Sequence, residues 1–253
     1  MNEAPDINTS LFQAVSSVKF SKVPRNGNIE VYDLKLDPCL GFPRAALMHV
    51  KIERNSDGIH WTDAGSPTLS YYVSDALRET ENRLGYTLNL GAYVMQGCPG
   101  AGKSRLLQEF PPMYCPLSAD DFFNVYDGFG RLRYVFDPTL LGQAHALCRL
   151  KAIDFIRKAE NVIVDNTHCG PGDLAETVEY LLRASERLAC ITGCVPLVVV
   201  VTLEPDADVE GYAQMCAARN THGVPLQGVR RMTLNLANDA RVRNPLTAYR
   251  ARR

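Results

Sequence analysis

A glycine-rich run that joins a strand-like segment to a helix-like segment constrains the fold of this chain more than any other feature. Residues 93–96 read YVMQ, residues 97–104 read GCPGAGKS, and the segment that follows can open a helix. The run fills every fixed position of the Walker A pattern G-x-x-x-x-G-K-[ST], with Gly97, Gly102, Lys103 and Ser104. Glycines allow the backbone to curl so that successive amides point inward at phosphate oxygens. The sequence therefore predicts a phosphate-binding loop (P-loop) at the end of a strand.

The same loop predicts which residues bind a nucleotide and its metal. We expect ATP to be bound by nine consecutive residues, Gly97, Cys98, Pro99, Gly100, Ala101, Gly102, Lys103, Ser104 and Arg105. Lys103 would bring a point charge to the phosphates and act in catalysis, and the Ser104 hydroxyl would ligate Mg²⁺. The alternative is a glycine turn that binds no nucleotide.

Strand-like and helix-like segments alternate from about residue 90 onward. The strand-like segments are 93–96, 114–117, 162–165 and 197–203, of which the last two are nearly all apolar. The helix-like segments are 137–156, 172–188, 207–220 and 226–238. Such alternation is typical of a parallel sheet covered by helices on both faces. The sequence therefore predicts an α/β, three-layer P-loop domain over residues 89–253, with ligands at the carboxyl ends of its strands.

The first 88 residues have a different pattern. Segments 18–20, 29–36 and 46–52 have the composition of strands, and apolar residues recur at helical spacing over 66–85. This pattern predicts a smaller α+β domain over residues 1–88, beginning with a loosely held arm of about 15 residues. No catalytic constellation precedes residue 90, so the sequence indicates neither the role of this domain nor its protein partner.

Composition and charge limit the classes of function. Hydrophobic residues make up 46% of the 253 residues, charged residues make up 22%, and the net charge is -1. These values are ordinary for a globular protein and give no global field that would attract nucleic acid or an anionic membrane. Positive charge is concentrated at the C-terminus, where seven arginines follow residue 229. We expect this basic tail to help bind a polyanion, with a solvated end as the alternative.

Targeting and cysteine signals favour a cytoplasmic protein. No apolar run approaches the roughly 20 residues needed to cross a bilayer, and the first residues, MNEAPD, lack the parts of a signal peptide. The eight cysteines are scattered without the spacing of a zinc site or a disulfide scaffold. We therefore expect reduced thiols and no membrane contact.

Acidic residues follow two of the predicted strands. Asp120 and Asp121 come after one strand, and Asp165 ends the next. A carboxylate at Asp120 can orient an acceptor hydroxyl and take its proton, whereas Asp121 is expected to cap the turn. Asp165 has the position of a Walker B residue, which binds Mg²⁺ or its water shell. The alternatives are a cap at Asp120 and a turn residue at Asp165. Asn166 and Thr167 could orient the acceptor or the attacking group, and we expect His168 to be exposed.

Phosphoryl transfer also requires positive charge at the transferred group. Arg219 ends a predicted helix, and the glycine and proline in the turn 220–225 would allow two helices to close as a lid. Arg219 is therefore the predicted catalytic arginine. Arg131 and Arg133 are second choices that could contact acceptor phosphates, with solvated surface arginines as the alternative.

Five segments together resemble one family. They are GCPGAGKS at 97–104, SADDFF at 118–123, FDP at 136–138 with Ala144 and His145, VIVDNT at 162–167, and RNTHGVP at 219–225. In order and spacing they resemble the small P-loop kinases, which include phage-type polynucleotide 5′-kinases, the kinase-like domain of the myelin cyclic-nucleotide phosphodiesterase and zeta-toxin-like ATP-binding proteins. The resemblance covers about residues 90–238. It implies that Asp120 is the general base, that Arg219 belongs to an arginine-bearing lid, and that His145 is a recurring feature.

Three positions depart from the phage-type kinases. Phe123 stands where those enzymes carry an arginine that grips the acceptor's phosphate, and His222 stands where their lid has a further arginine. Arg105 replaces the threonine that commonly follows the Walker serine. These departures bear on the acceptor rather than on ATP binding.

The sequence thus predicts an ATP- and Mg²⁺-dependent kinase that phosphorylates a 5′-hydroxyl of RNA or DNA. One alternative is a kinase for a small metabolite or nucleotide-sugar. Another is a non-catalytic ATP-binding module, in which the N-terminal region contacts a partner protein and no acceptor is phosphorylated.

Overall fold

The computed structural model of the protein describes residues 12–19, 27–34, 45–52, 78, 88–108, 110, 113–192 and 195–245. Apart from Arg78, the helix predicted over 66–85 lies outside these residues. The arginines at 250, 252 and 253 lie outside them as well.

A seven-stranded sheet forms the centre of the described structure. Its strands are β1 (Phe12–Lys19), β2 (Gly27–Leu34), β3 (Ala45–Ile52), β4 (Leu88–Gln96), β5 (Cys115–Leu117), β8 (Val162–Asp165) and β9 (Val195–Leu203). Their order across the sheet is β1-β2-β3-β9-β4-β8-β5. The five strands from β3 to β5 are parallel, and β2 and β1 continue the sheet antiparallel beyond β3. The predicted α/β class with a parallel sheet is confirmed.

Helices cover the two faces of the sheet. They are α1 (Lys103–Leu107), α2 (Leu141–Arg157), α3 (Asp173–Thr192), α4 (Val209–Arg219), α5 (Leu226–Asn238) and α6 (Ala240–Arg243). Helices α2 and α3 contribute to the apolar core on one face, and α1, α4, α5 and α6 contribute to the core on the other. Side chains alternate along β4 between these cores, because Tyr93 and Met95 enter one while Ala92 and Val94 enter the other. The arrangement is that of a three-layer α/β domain.

The N-terminal strands belong to the same sheet as the glycine-rich loop. Strand β3 pairs in parallel with β9 over seven residues, from Ala46 opposite Leu197 to Ile52 opposite Leu203. The sheet therefore runs across residue 88, the predicted boundary between two domains. The division of the chain at that residue stays a prediction.

Several details differ from the sequence-based expectations. Strand β1 begins at Phe12, inside the segment predicted to be a loose arm. A second, two-stranded sheet, β6 (Asn124–Tyr126) paired with β7 (Leu132–Tyr134), was not predicted, and neither was α6. Short 3-10 helices occupy Ala119–Phe123 and Pro138–Leu140. Within the described residues, no helix has the length and apolar character needed to cross a membrane.

Candidate active site

The candidate site lies at the carboxyl ends of three neighbouring parallel strands. Strands β4, β8 and β5 are adjacent in the sheet, and each is followed by residues that the sequence singled out. The loop 97–102 follows β4, the 3-10 helix Ala119–Phe123 follows β5, and Asp165 ends β8. Parallel strands present their carboxyl ends at the same edge, where ligands of such sheets bind.

The loop after β4 has the backbone conformation that its glycines allow. Gly100 and Gly102 have φ angles of 78° and 103°, in the left-handed region that favours glycine. Gly100 is also crowded, since a Cβ built there would lie 2.0 Å from the carbonyl oxygen of Cys216 in α4. The end of α4 therefore rests against the loop, and only glycine fits the contact.

Backbone amides of this loop are available to a ligand. Within the part of the chain that the structure describes, the amides of Gly100, Gly102, Lys103 and Ser104 donate no hydrogen bond. Lys103 Nζ donates to the carbonyl oxygens of Gly97, at 2.9 Å, and of Cys98, at 3.1 Å. The ammonium group is therefore folded back over the loop. Unpaired amides beside a lysine form a concavity that suits an anion.

The loop is fixed to the end of β8 and to helix α6. The Gly97 amide donates to the Thr167 carbonyl at 3.0 Å. The buried Gln96 side chain donates to the carbonyls of His168, at 2.9 Å, and of Val242, at 2.8 Å. The Thr202 hydroxyl donates to Gln96 Oε1 at 2.7 Å, which links this network to β9. Each polar group of the Gln96 amide is thus paired, and the loop is held at its first residue.

Cys98 anchors the loop rather than facing a ligand. Its side chain is fully buried, and its sulfur lies 3.2 Å from the Thr233 hydroxyl in α5. A hydrogen bond with the buried Cys169 thiol lowers the pKa of Cys98, and the same bond and burial raise the pKa of Cys169. Cys98 is one of the nine residues predicted to bind nucleotide. Its backbone belongs to the loop, but its side chain is part of the apolar core.

Asp165 presents a partly unsatisfied carboxylate beside the loop. Burial raises its pKa, and the Lys103 ammonium opposes that shift. The charges of Asp120 and Asp121 raise the pKa of Asp165 further, and the charge of His222 lowers it. Among the described residues, nothing hydrogen-bonds to the buried Asp165 Oδ1 atom. The structure therefore brings Lys103, Asp165 and Asp120 into one electrostatic environment.

The donor set near Asp165 fits Mg²⁺ bound largely through other ligands. No group of three or more His, Cys, Asp or Glu side chains able to hold a metal occurs in the described ranges. Mg²⁺ is commonly held by one or two protein oxygens together with waters and substrate phosphates. The orphaned Asp165 oxygen and the exposed Ser104 hydroxyl meet that requirement.

The turn after β5 separates the roles of its two aspartates. Asp121 Oδ2 accepts a hydrogen bond from the Ser118 amide at 3.1 Å, and the Ser118 hydroxyl accepts from the Asp120 amide at 3.1 Å. Asp121 is therefore a capping residue. The carboxylate of Asp120 points elsewhere, because its Oδ1 accepts a hydrogen bond from the Tyr134 hydroxyl at 2.9 Å. Its Oδ2 lies 3.9 Å from His222 Nδ1.

Asn166 positions this turn instead of facing an acceptor. Its side chain is buried, and its Oδ1 accepts a hydrogen bond from the Ala119 amide at 2.8 Å. Its Nδ2 donates to the Cys148 sulfur at 3.5 Å. The end of β8 thus fixes the residue that precedes Asp120. The expectation that Asn166 orients the acceptor has no support in these contacts.

Arg219 lies at the exposed end of α4, beside the loop. A Cβ on Gly100 would lie 3.2 Å from the amide of Asn220, the residue after Arg219. The following turn is ordered by Asn220, whose side chain accepts from the His222 amide and donates to the Val224 carbonyl, both at 2.9 Å. In the part of the chain that the structure describes, the Arg219 guanidinium forms no ion pair or hydrogen bond, and the residue is exposed. Its guanidinium is therefore free to contact a bound anion.

His168 was predicted to be exposed, and that prediction is wrong. Only 2% of the residue is accessible. Its Nδ1 lies 2.7 Å from the Met95 carbonyl and its Nε2 lies 3.1 Å from the Thr177 hydroxyl, so a neutral ring donates at Nδ1 and accepts at Nε2. Burial lowers the pKa of His168 to about 4. His168 therefore joins β4 to α3 as an uncharged structural residue.

The neutral state of His168 predicts a loss of stability in acid. Its pKa is lower in the folded state than the ordinary value of 6.5, so the unfolded chain binds the proton more readily. The contribution of neutral His168 to the free energy of unfolding is fully present above pH 6.5 and is lost as the pH falls toward 4. Between pH 7.5 and pH 5, the free energy of unfolding should decrease by about 2 kcal/mol. Urea unfolding at both pH values should show this difference.

A His168→Gln variant cannot take up that proton and should show a smaller difference between the two pH values. His222→Gln, which changes an exposed histidine, is the control. The same pH dependence in wild type and His168→Gln would contradict the assignment.

Tyr134 is the residue at this site that sequence reasoning missed. It lies in β7, outside every predicted strand, and contacts Asp120 only because the β6–β7 hairpin folds back toward the turn. Burial and the hydrogen bond to Asp120 raise the pKa of Tyr134 to about 12, which keeps the phenol protonated. The sequence gives only a weak signal for this strand, because apolar and polar residues alternate over 132–134 alone. His145 is half-buried in α2, and burial lowers its pKa while the charge of Asp173 opposes that shift.

Comparisons with known proteins give a weak structural similarity and no family. No protein-family model matches the sequence. Among solved structures, the chain is similar to a chain in the structure of the Pnkp1/Rnl/Hen1 RNA repair complex, with a TM-score of 0.38 and 14% sequence identity. The match covers 61% of this chain and 46% of the other, so this chain corresponds to less than half of that protein's length.

Proposed function

We propose that the protein is an ATP- and Mg²⁺-dependent phosphotransferase that acts on a 5′-hydroxyl of RNA or DNA. The observation that carries the proposal is that Lys103, Asp165 and Asp120 lie at or after the carboxyl ends of three neighbouring parallel strands, β4, β8 and β5. An anion cradle, a metal-binding oxygen and a carboxylate that can take the acceptor's proton are the parts that phosphoryl transfer requires.

The loop would bind the phosphates of ATP. The unpaired amides of Gly100, Gly102, Lys103 and Ser104 would donate to phosphate oxygens. Lys103 would exchange its bonds to the loop carbonyls for bonds to a phosphate. Ser104 and Asp165 would hold Mg²⁺, which neutralises charge on the phosphates when it is bound.

Asp120 would take the proton of the acceptor. Tyr134 donates to its Oδ1, so Oδ2 remains for the acceptor hydroxyl. As the acceptor oxygen bonds to the γ-phosphorus, the bond from that phosphorus to the leaving oxygen of ADP breaks, and the acceptor proton passes to Asp120. Arg219, at the end of α4, would stabilise the negative charge on the transferred group.

The choice of a polynucleotide acceptor is supported by the resemblance of the five sequence segments. The described arginines of the basic tail give less support. Three of these four are in ion pairs, Arg230 with Glu210, Arg241 with Asp239 at 2.7 Å, and Arg243 with Glu204 at 3.0 Å, and the fourth, Arg231, is exposed. These pairings reduce the positive charge that this region offers to a polyanion.

A kinase of a small metabolite is the second candidate, and one observation favours it. Phe123 occupies the position at which phage-type kinases grip the acceptor's phosphate, and its side chain is 2% exposed, so it leaves no cation there. An acceptor that carries no phosphate near its hydroxyl would need no such contact.

The test is label transfer from γ-labelled ATP and Mg²⁺ to a panel of 5′-hydroxyl RNA, 5′-hydroxyl DNA, nucleosides and nucleotide-sugars. Transfer to RNA or DNA is the expected result, and a Lys103→Met variant should show neither transfer nor Mg·ATP binding by calorimetry. Transfer to small compounds alone would establish the second candidate. Binding of Mg·ATP by wild type without transfer to any compound would leave the binding-module alternative.

A further inference from the structure

A short hairpin beside Asp120 exposes an unusual amount of apolar surface. The aromatic hairpin, residues 124–136, comprises β6, the turn 127–131, β7 and the two residues that follow. Its exposed fractions include 75% for Tyr126, 85% for Phe129, 56% for Leu132 and 50% for Phe136. Large aromatic residues that remain exposed on an ordered element are candidates for binding.

The strand register places these residues on one face. Tyr126 pairs with Leu132, and Asn124 pairs with Tyr134. Directly paired residues and residues two apart share a face of an antiparallel ladder. The rings of Tyr134 and Phe136 are nearly parallel, at 12°, with centroids 6.4 Å apart. Tyr126, Leu132, Tyr134 and Phe136 therefore form a continuous face, called the stacking face below.

The hairpin is held rigidly in place. Asp127 Oδ1 accepts hydrogen bonds from the amides of Phe129, at 2.9 Å, and Arg131, at 3.0 Å, which closes the turn. The Val135 amide donates to the Phe123 carbonyl at 2.8 Å. The buried Phe123 ring packs edge-on against Tyr134 and Phe136 from below. A ligand would thus meet a preformed surface.

The stacking face begins at the candidate base. The Tyr134 hydroxyl is hydrogen-bonded to Asp120, and the Tyr134 ring lies 5.8 Å from the His222 ring. A nucleotide whose 5′-hydroxyl reached Asp120 would therefore have its base and its 3′ neighbours beside this face.

We propose, building on the proposed function, that the stacking face binds the unpaired bases at the 5′ end of a single-stranded polynucleotide acceptor. Aromatic rings stack on the faces of all bases, with little preference for sequence. The Arg131 guanidinium lies over the Phe129 ring, 5.8 Å from its centroid, and the hairpin's one acid, Asp127, is engaged by two amides and by Arg133 at 3.0 Å. Aromatic surface with cations and no free carboxylate suits a nucleic acid better than a protein. Bases inside a duplex are stacked and paired, so a blunt duplex end would not bind there.

The test measures binding alone, without ATP, so that it does not depend on phosphoryl transfer. Fluorescence anisotropy would report the affinity for a labelled 5′-hydroxyl 12-mer, either single-stranded or as a blunt duplex. Tyr126→Ala should weaken single-strand binding about 5- to 150-fold, because stacking of one base on an aromatic ring contributes about 1–3 kcal/mol. Tyr126→Phe keeps the ring and should bind as wild type does.

Tyr180→Ala, at an exposed tyrosine of α3, is the matched control and should not change binding. Thermal unfolding and Mg·ATP calorimetry of each variant would show that the fold and the loop are intact. Equal affinities of wild type and Tyr126→Ala for single strands, or equal wild-type affinities for single strands and duplexes, would overturn the inference. Absence of oligonucleotide binding by a wild type that still phosphorylates nucleosides would also overturn it, while leaving a phosphotransferase in place.

Discussion

Replacing Asp120 by asparagine should slow phosphoryl transfer about 10²- to 10⁴-fold while leaving ATP binding unchanged. An amide cannot take the acceptor's proton, but its oxygen can still accept the Tyr134 hydrogen bond that now reaches Oδ1 at 2.9 Å. The turn should therefore keep its geometry, and only the proton acceptor is lost. Single-turnover transfer from γ-labelled ATP, at saturating ATP and the acceptor identified by the panel, measures the change.

The neighbouring Asp121→Asn is a matched control, because it makes the same chemical change one residue away. The asparagine oxygen can still accept from the Ser118 amide, so the cap of the 3-10 helix should remain. Transfer by Asp121→Asn should stay near the wild-type rate. Equal losses in both variants would mean that the turn as a whole is disturbed, and equal retention would remove Asp120 from its proposed role.

Replacing Arg219 by alanine should have a larger effect, a loss of about 10³- to 10⁵-fold in the rate of transfer. The Arg219 guanidinium has no ion-pair or hydrogen-bond partner within the described residues, so we expect its removal to change the free energy of unfolding little. Its guanidinium would contact the transferred group only as charge develops there, so the loss should appear in kcat rather than in ATP affinity. Arg219→Lys keeps the charge without the planar fork and should recover only part of the rate.

Arg157→Ala provides the control for a general loss of positive charge. Arg157 is the last residue of α2, just before β8 begins, and so lies at the opposite end of the parallel strands from the site. Its substitution should leave transfer unchanged. An Arg219→Ala enzyme with a wild-type rate would show that the end of α4 contacts the loop without acting on the phosphate.

The fold was predictable wherever the sequence pattern extends over a whole element. The apolar runs at 162–165 and 197–203 correspond to β8 and part of β9, and the segment 226–238 corresponds to α5. The helix that follows the glycine-rich run is short and ends at Leu107. Phe110 leaves the helix and packs edge-on against Tyr93 and Tyr114, so a tertiary contact decides where the helix ends.

The candidate site was predictable where a residue's role is set by neighbours in the sequence. The positions of Lys103, Asp120 and Asp165 after their strands follow from short patterns. His168 was assigned wrongly because it follows the strand as an apparent surface residue, whereas Met95 and Thr177, which hold it, are 73 and 9 residues away. Tyr134 was missed because the three-residue strands of its hairpin carry too little periodicity to be recognised. Contacts of this kind depend on the tertiary structure, which local patterns do not specify.

The parallel pairing of β3 with β9 has a consequence for any shortened form of this protein. A fragment starting at residue 89 would lack β3, so the backbone amides and carbonyls of Leu197–Leu203 that face β3 would be unpaired along a newly created sheet edge, while those that face β4 would stay paired. That segment reads LVVVVTL, which is apolar except for Thr202 and carries no charge, and such a composition is prone to recruit another copy through edge-to-edge association. In the full chain, β3 pairs with this edge of β9, so we expect the N-terminal strands to prevent such association between copies of the protein.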